Sequence, residues 1–307
     1  MLLQVKNVTK KFRNFTAVEN ISFELEKGDM FGFLGKNGAG KSTTFRLILG
    51  LLVPTSGEIF FDGKPFSKDN FDQIGFLPEE RGLHTKLTVE EELIYMGSLK
   101  NMKKKELKVK IDYWLEKFEI LQNKKKKISD LSKGNQQKIQ LIASIMHNPK
   151  LLILDEPFSG LDPINVELLK AAIKELNTLG TTIIFSSHRL EHIEELCNKV
   201  GILKSGKLEA YGSVDDVKSK TKYKHIIIES KEDFSHLQEI NGVKNLEIYN
   251  NTITLKVTDE NTCKLIFNEI SKKSFVKRFQ ILEPTIKDIF IEIMKKETVE
   301  KAGDVSE

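Results

Sequence analysis

The sequence predicts an α/β core built on a phosphate-binding loop, followed by a smaller α+β unit. Three stretches carry that prediction. Phe31 to Gly50 reads as a buried strand, a glycine-rich turn and a helix in succession, and the turn Gly35-Lys36-Asn37-Gly38-Ala39-Gly40-Lys41-Ser42 fits G-x-x-x-x-G-K-[ST] in full. Leu151 to Leu154 is a short apolar run closed by Asp155-Glu156, the pattern of a buried strand that delivers two carboxylates at its tip. From about Lys220 the texture changes to short strands and helices in the order βαββαβ, which suggests a small ferredoxin-like sheet.

Composition narrows the class. At 307 residues the chain is long enough for two domains with real cores, and 39% hydrophobic with 30% charged residues describes an ordinary globular protein. A net charge of +4, with acids nearly as numerous as bases, gives nucleic-acid binding little support. Cys197 and Cys263 are far apart with no metal-type spacing, consistent with reduced thiols in a cytosolic protein. The longest apolar runs, such as Leu47 to Val53, fall far short of the roughly 20 residues that span a bilayer, and no signal peptide is expected.

In chain order, Leu2 to Val8 and Ala17 to Leu25 alternate apolar and polar side chains and are read as antiparallel strands. Phe12, between them, either offers a ring on which an adenine can stack or packs into the core as a strand-end residue. In the glycine turn, Gly35, Gly38 and Gly40 are expected to turn the backbone with positive φ and bring N–H groups near an anion; Lys41 would reach the outer phosphates and Ser42 would hold Mg²⁺. Ser42 to Leu49 is a helix closed by Gly50, and Glu58 to Asp62 is a strand turned by Asp62-Gly63. Ile74 to Leu77 is a strand stopped by Pro78 and followed by Glu79-Glu80-Arg81-Gly82. Glu79 is a candidate for the metal or attacking-water site because ligands bind at the carboxyl ends of such strands; its bland alternative is a solvated loop acid. Thr88 with Glu91 caps a helix start, and Val89 to Leu99 and Lys104 to Phe118 form a helical insertion, a subdomain of about residues 80–148. Lys103 to Lys105 and Lys124 to Lys127 are basic runs, by default a solvated face.

Leu131-Ser132-Lys133-Gly134-Asn135 opens a helix over Gln136 to Met146; after Asp155-Glu156 come Ser159-Gly160-Leu161-Asp162, and His188 follows the Thr181 to Phe185 strand. This order and spacing resemble the ATP-binding subunits of ABC transporters, over Met1 to about Tyr211. The resemblance implies ATP and Mg²⁺ as ligands, with a nucleotide site of Gly35, Lys36, Asn37, Gly38, Ala39, Gly40, Lys41, Ser42 and Thr43, and Phe12 as the adenine-stacking residue. It places the Q-loop position on Glu79, the signature on Leu131 to Asn135, the Walker B end on Asp155, the catalytic carboxylate on Glu156, the D-loop on Ser159 to Asp162 and the switch histidine on His188. Ser42, Asp155 and Glu79 are then the metal positions, and Ser132 and Gly134 would bind the nucleotide of an opposing subunit.

These assignments agree with what the residues can do. A carboxylate at Glu156 can orient and deprotonate water, fixed donors at Lys41 and His188 can meet charge on the γ-phosphate, and a helix N-terminus at Ser132 and Gly134 is a ready anion site. Glu79 stands where glutamine is usual, and Lys133 and Asn135 replace the usual glycine and glutamine of the signature. His188-Arg189-Leu190-Glu191-His192 also matches the zinc-protease string H-x-x-E-H, a reading set aside because no third ligand is evident.

The expected organisation is therefore an ABC-type P-loop NTPase core over 1–215, with antiparallel β and helical subdomains. An accessory α+β domain over 220–297 and a flexible tail over 298–307 complete it. The expected partners are a second ATP-binding subunit and separate membrane permeases, with no nucleic acid, at the cytoplasmic face of a membrane. The wording of Leu131 to Asp162 resembles the sodium-extrusion and drug-export group, which implies export. A soluble ABC ATPase of translation or repair is the alternative; it usually brings a second cassette or a long coiled coil, and neither is seen.

Overall fold

The apolar residues of the first strands alternate, and that alternation is what the fold uses. In the computed structural model, which describes residues 1–303 apart from Arg81, Lys222, Lys273 and Ser274, with side chains through Lys295, the chain divides into units at Gly212/Ser213.

The first unit opens with β1 (Leu3–Phe12) and β2 (Phe15–Leu25), paired antiparallel from Leu3↔Leu25 to Phe12↔Phe15. Both are longer than their alternating runs, because the hairpin continues past Val8 to a tight turn in which Arg13 takes φ 45°. β3 (Met30–Leu34) is buried throughout and leads through the glycine turn into α1 (Lys41–Ile48). β4 (Ser56–Phe61) and β5 (Lys64–Pro65) form the expected hairpin, with Asp62 and Gly63 at φ 50° and 78°, the two left-handed positions of a type I′ turn. These strands make an antiparallel sheet ordered β2-β1-β4-β5.

β6 (Ile74–Leu77) precedes the helical insertion, α2 (Val89–Ser98) and α3 (Lys104–Lys117), and α4 (Lys133–Ile145) returns the chain to the core. Thr88 and Glu91 form the expected capping box of α2. Then follow β7 (Leu151–Leu154), α5 (Pro163–Thr178), β8 (Thr182–Phe185), α6 (Leu190–Leu196), β9 (Lys199–Lys204) and β10 (Lys207–Ser213). The second sheet is ordered β10-β9-β3-β8-β7-β6, with β9-β3-β8-β7-β6 all parallel. Its strands are continuous apolar runs because both faces are covered. Phe23, Phe31, Phe33, Phe45 and Ile153 share one core between the two sheets and α1, so the phosphate loop is fixed at both ends by packed apolar side chains.

The second unit begins with a helix absent from the sequence reading, α7 (Val214–Ser219), capped by Ser213 through Asp216 N–H. β11 (Lys224–Glu229), β12 (Val243–Tyr249), β13 (Thr252–Val257), α8 (Glu260–Ser271), β14 (Arg278–Leu282) and α9 (Ile286–Gly303) follow. The sheet is antiparallel and ordered β12-β13-β11-β14, the strand order of a ferredoxin-like unit, with a 3₁₀ turn at Ser235–Glu239 in place of the first helix. Even-numbered residues of β11 and odd-numbered residues of β13 pack with Cys263, Ile266 and Ile270 of α8. Within the tail expected from residue 298, α9 runs on to Gly303, and Asp304 to Glu307 lie outside the described residues.

Candidate nucleotide and metal site

The glycine loop turns sharply because it must pass under its neighbours. Gly40, the residue before α1, has φ 108°, and a side-chain Cβ there would come within 2.4 Å of the Ala17 carbonyl. Gly38 is also left-handed, at φ 79°. Gly35 corrects the sequence expectation: it is not in the positive-φ region, and its glycine is required instead by close approach, since a Cβ would meet the Leu203 carbonyl at 2.7 Å. The unsatisfied N–H groups at the start of α1 then face a cleft of about 360 Å³ lined by Asn37, Gly38, Gly40, Lys41, Ser42, Thr43, Glu79, Asp155, Glu156 and His188.

Lys41 is largely buried, and its ammonium curls over the loop to donate to the carbonyls of Gly35 (2.7 Å) and Lys36 (3.2 Å). Burial lowers its pKa, while Glu156, Asp155 and Glu79 pull it back up. Two neutral carbonyls hold the amine at the place where an anion would draw it. Lys36 and Ala39 stand in the turn itself, with Ala39 N–H donating to the Lys36 carbonyl (3.1 Å).

β7 carries Asp155 and Glu156 into the cleft from below. Asp155 extends the ladder through its N–H to the Leu77 carbonyl (2.8 Å), and its carboxylate accepts from Ser42 Oγ on one oxygen (3.0 Å) and from the fully buried Ser186 Oγ on the other (2.7 Å). Ser186 Oγ in turn accepts from Glu156 N–H (3.0 Å). Glu156 has φ 53°, an uncommon conformation for a non-glycine residue, and its side chain turns toward His188. There Oε2 accepts from His188 N–H (3.2 Å), His188 Nε2 lies 3.4 Å from Oε1, and Oε1 itself is buried with no hydrogen bond. Burial is the main cause raising the Glu156 pKa above 4.5, opposed by His188 and Lys41.

Ser42 and Asp155 fit a hard divalent cation: both present oxygen, they lie within hydrogen-bond distance, and their carboxylate is single, as suits Mg²⁺ that takes its remaining ligands from phosphate and water. Glu79 is an exposed residue that lines the same cleft.

The remaining sequence candidates divide. Phe12 is 44% exposed at the hairpin tip with Lys10 Nζ 5.1 Å from its ring centroid, so it is not a core residue, and it does not line the cleft. Its cross-strand partner Phe15, 61% exposed, does, and the sequence reading passed over it. The available signal was alternation: Phe15 and Ala17 share one face of β2, and both line the cleft. Ser132 and Gly134 stand at the N-terminus of α4, away from the phosphate loop; Ser132 Oγ accepts from Asn135 N–H (3.3 Å). Asp162 caps α5 by accepting from Asn165 N–H (3.0 Å). His192 of the zinc-like string is buried with its ring edge-on to Phe158 at 4.6 Å, and burial lowers its pKa.

Known proteins are similar to this chain in both of its units. The ABC transporter family profile matches residues 18–159, and the C-terminal domain profile of DrrA1-3-like ATP-binding proteins matches residues 212–294. The ABC transporter ATP-binding protein YhaQ of Bacillus subtilis (strain 168) is 45% identical over 291 residues, 95% of this chain and 98% of that protein. The chain belongs to the ABC transporter ATP-binding proteins. This ABC ATPase is also 38% identical to the linearmycin resistance ATP-binding protein LnrL of Bacillus subtilis, over 71% of each chain. The chain also resembles a solved ATP-binding subunit of an ABC transporter (TM-score 0.68, 30% identity, 72% of this chain and 93% of that one). It also resembles a dimeric ATP-binding cassette in a post-hydrolysis state bound to ADP and Pi (TM-score 0.63, 26% identity, 69% and 98%). The α/β P-loop architecture and the ATPase activity expected from the sequence hold; the translation or repair alternative finds no support among these relatives. Among the described residues no helix is long and apolar enough to cross a membrane.

Proposed function

We propose that this ATPase subunit powers export through separate membrane permeases, from the cytoplasmic face of the membrane, as one of a pair of ATP-binding subunits. Resistance-type relatives such as the linearmycin protein support the direction of transport. The observation that carries the catalytic assignment is the chain of contacts Ser42–Asp155–Ser186–Glu156–His188, which leaves a buried carboxylate oxygen of Glu156 facing the His188 ring without a hydrogen bond.

Each residue then has a task. The loop N–H groups and Lys41 hold the β- and γ-phosphates. Ser42 and Asp155 would hold Mg²⁺, which supplies charge neutralisation on the phosphate oxygens. Glu156 uses its free Oε1 to orient a water and take its proton, and its raised pKa brings the base closer to working pH. His188, fixed through its backbone to Glu156, offers its ring to the γ-phosphate. Phe15, which lines the cleft, supplies a surface for the base. Ser132 and Gly134, too far round to serve this cleft, present the α4 N-terminus to the nucleotide of the partner cassette.

Purification from detergent-solubilised membranes tests the assembly: the chain is expected with a multi-span partner and with Mg²⁺-dependent ATPase activity. Recovery only with ribosomes or DNA would refute it.

A further inference from the structure

Helix α4 buries polar side chains where a core helix would carry apolar ones. Gln137 and Gln140 are only 4% and 6% exposed, and their spacing of three residues puts them on one face of the helix. That face meets the tips of β6 and β7. The two strands run parallel with Leu77 opposite Leu154, and β6 passes so near the helix that a Cβ at Gly75 would come within 2.1 Å of the Ser144 carbonyl.

The two amides reach the loops that leave those strands. Gln140 Nε2 donates to the carbonyls of Pro78 (3.3 Å) and Glu80 (3.2 Å), the residues on either side of Glu79. Gln137 Nε2 donates to the carbonyl of Pro157 (3.2 Å), the residue after Glu156. The Glu156 N–H is held by Ser186 Oγ and its carbonyl accepts from Ser159 N–H (3.1 Å), so its left-handed backbone at φ 53° is pinned from both sides. Neither glutamine lines the nucleotide cleft, although Glu79 and Glu156 both do. Gln140 also keeps its amide at a cost: Oε1 is buried without a hydrogen bond, an orphan that a methionine of similar length would avoid. A methionine could not supply the N–H donors, so the donors are what the position demands.

We propose that Gln137 and Gln140 are positioning residues for ATP hydrolysis, Gln137 acting through Glu156 and Gln140 through Glu79. Each fixes the backbone that carries an acid into the cleft without touching the acid's side chain. The inference rests on Glu156 as the base and on Glu79 as a participant in the metal or water site. A misplacement of about 1 Å at a reacting group costs on the order of 10²-fold in rate, so the hold on these two loops belongs to the chemical step. ATP binding depends on the phosphate loop between β3 and α1, which neither amide contacts.

Double-mutant cycles on the full chain test it, read by single-turnover phosphate release with saturating Mg-ATP at concentrations where subunits pair. Gln137→Met should slow release by about tenfold with ATP affinity within about twofold of wild type, and should add less than about twofold when Glu156→Gln is already present. Gln140→Met should behave in the same way against Glu79→Ala. Ser144→Ala removes a buried hydroxyl bond to the Leu141 carbonyl (2.7 Å) on the same helix without reaching either loop; it should lower the melting temperature and leave release unchanged. Should a methionine variant fail to fold, Gln137→Asn or Gln140→Asn, which draws the amide back by one methylene, runs the same cycle. Unaltered release, about a tenfold further loss in the Glu156→Gln or Glu79→Ala background, or equal slowing by Ser144→Ala would overturn the positioning role. Wild-type turnover in Glu156→Gln alone would instead remove the base assignment and this inference with it, whereas a slow Glu156→Gln with an additive Gln137→Met refutes the positioning role only.

Discussion

Replacing Glu156 by glutamine separates the roles assigned to this residue, because the substitution keeps its shape and removes its basicity. The amide oxygen can still accept the His188 N–H bond made at 3.2 Å, and the left-handed backbone at φ 53° is untouched, so the loop that carries His188 should stay in place. What disappears is the carboxylate oxygen, free of hydrogen bonds, that is proposed to take the proton. A positioned general base contributes roughly 10²- to 10⁴-fold, or about 2.7–5.4 kcal/mol of barrier, so turnover should fall by that factor while ATP binding persists and paired subunits accumulate. Steady-state phosphate release, nucleotide titration and size-exclusion chromatography with ATP measure the three quantities. Turnover within about threefold of wild type would show that another group is the base.

The same variant makes a stability prediction of definite sign. Burial, the leading cause, raises the folded-state pKa of Glu156 above 4.5, so the neutral acid is favoured in the fold. A carboxyl shifted upward contributes stability below its unfolded pKa and loses it as pH rises through the folded value. Without nucleotide, Glu156→Gln should therefore melt at or above wild type near pH 8, and the difference should shrink as pH falls toward the ordinary carboxylate range. In wild type the ATPase rate should rise with pH through the same ionisation. A variant less stable at pH 8 than at pH 5, relative to wild type, would refute burial as the dominant influence.

Three further substitutions probe the rest of the site. Gly40→Ala places a Cβ 2.4 Å from the Ala17 carbonyl at φ 108°; a strain of about 1–3 kcal/mol should lower the melting temperature and cost most of the ATP affinity, read by thermal melts and calorimetry. Phe15→Ala should weaken ATP binding by about 5- to 150-fold, the worth of one stacked base, and weaken GTP similarly, since a ring face does not read the base edge. Ser132→Ala removes the cap that accepts Asn135 N–H and should cost about 1 kcal/mol of stability; its loss of turnover should appear only at concentrations where subunits pair, and an equal loss in dilute, unpaired protein would refute the trans role.

The readable parts of this chain are those in which neighbours in sequence are neighbours in space. The phosphate turn, the capping box at Thr88, the Asp62-Gly63 hairpin and the Asp155-Glu156 strand tip are all local, so their residue types announce them. The succession of strands in the second unit was legible as short alternating runs with turn residues between them, while the pairing of β11 with β13 and β14 joins segments far apart in the chain. α7 was missed: Ser213 and Asp216 have capping spacing, but the segment is only six residues long, with little periodicity to reveal it. Gly35 was read as a turn residue when a carbonyl 2.7 Å from its missing Cβ is the actual constraint.

The connection that makes the site work is of another kind. Ser42 meets Asp155 across 113 positions, and Ser186, an ordinary serine on an apolar strand's end, sits 31 positions from Asp155. Its single hydroxyl donates to the Asp155 carboxylate and accepts from the Glu156 N–H, so one atom fixes both the proposed metal position and the backbone of the proposed base. In a fully buried position, loss of that hydroxyl would strand a donor and weaken the hold on a charge together. Nothing in the spacing of Ser186 distinguishes it from Ser187; only the parallel registry of β7 and β8, Leu154 against Phe185, brings it beneath the two acids.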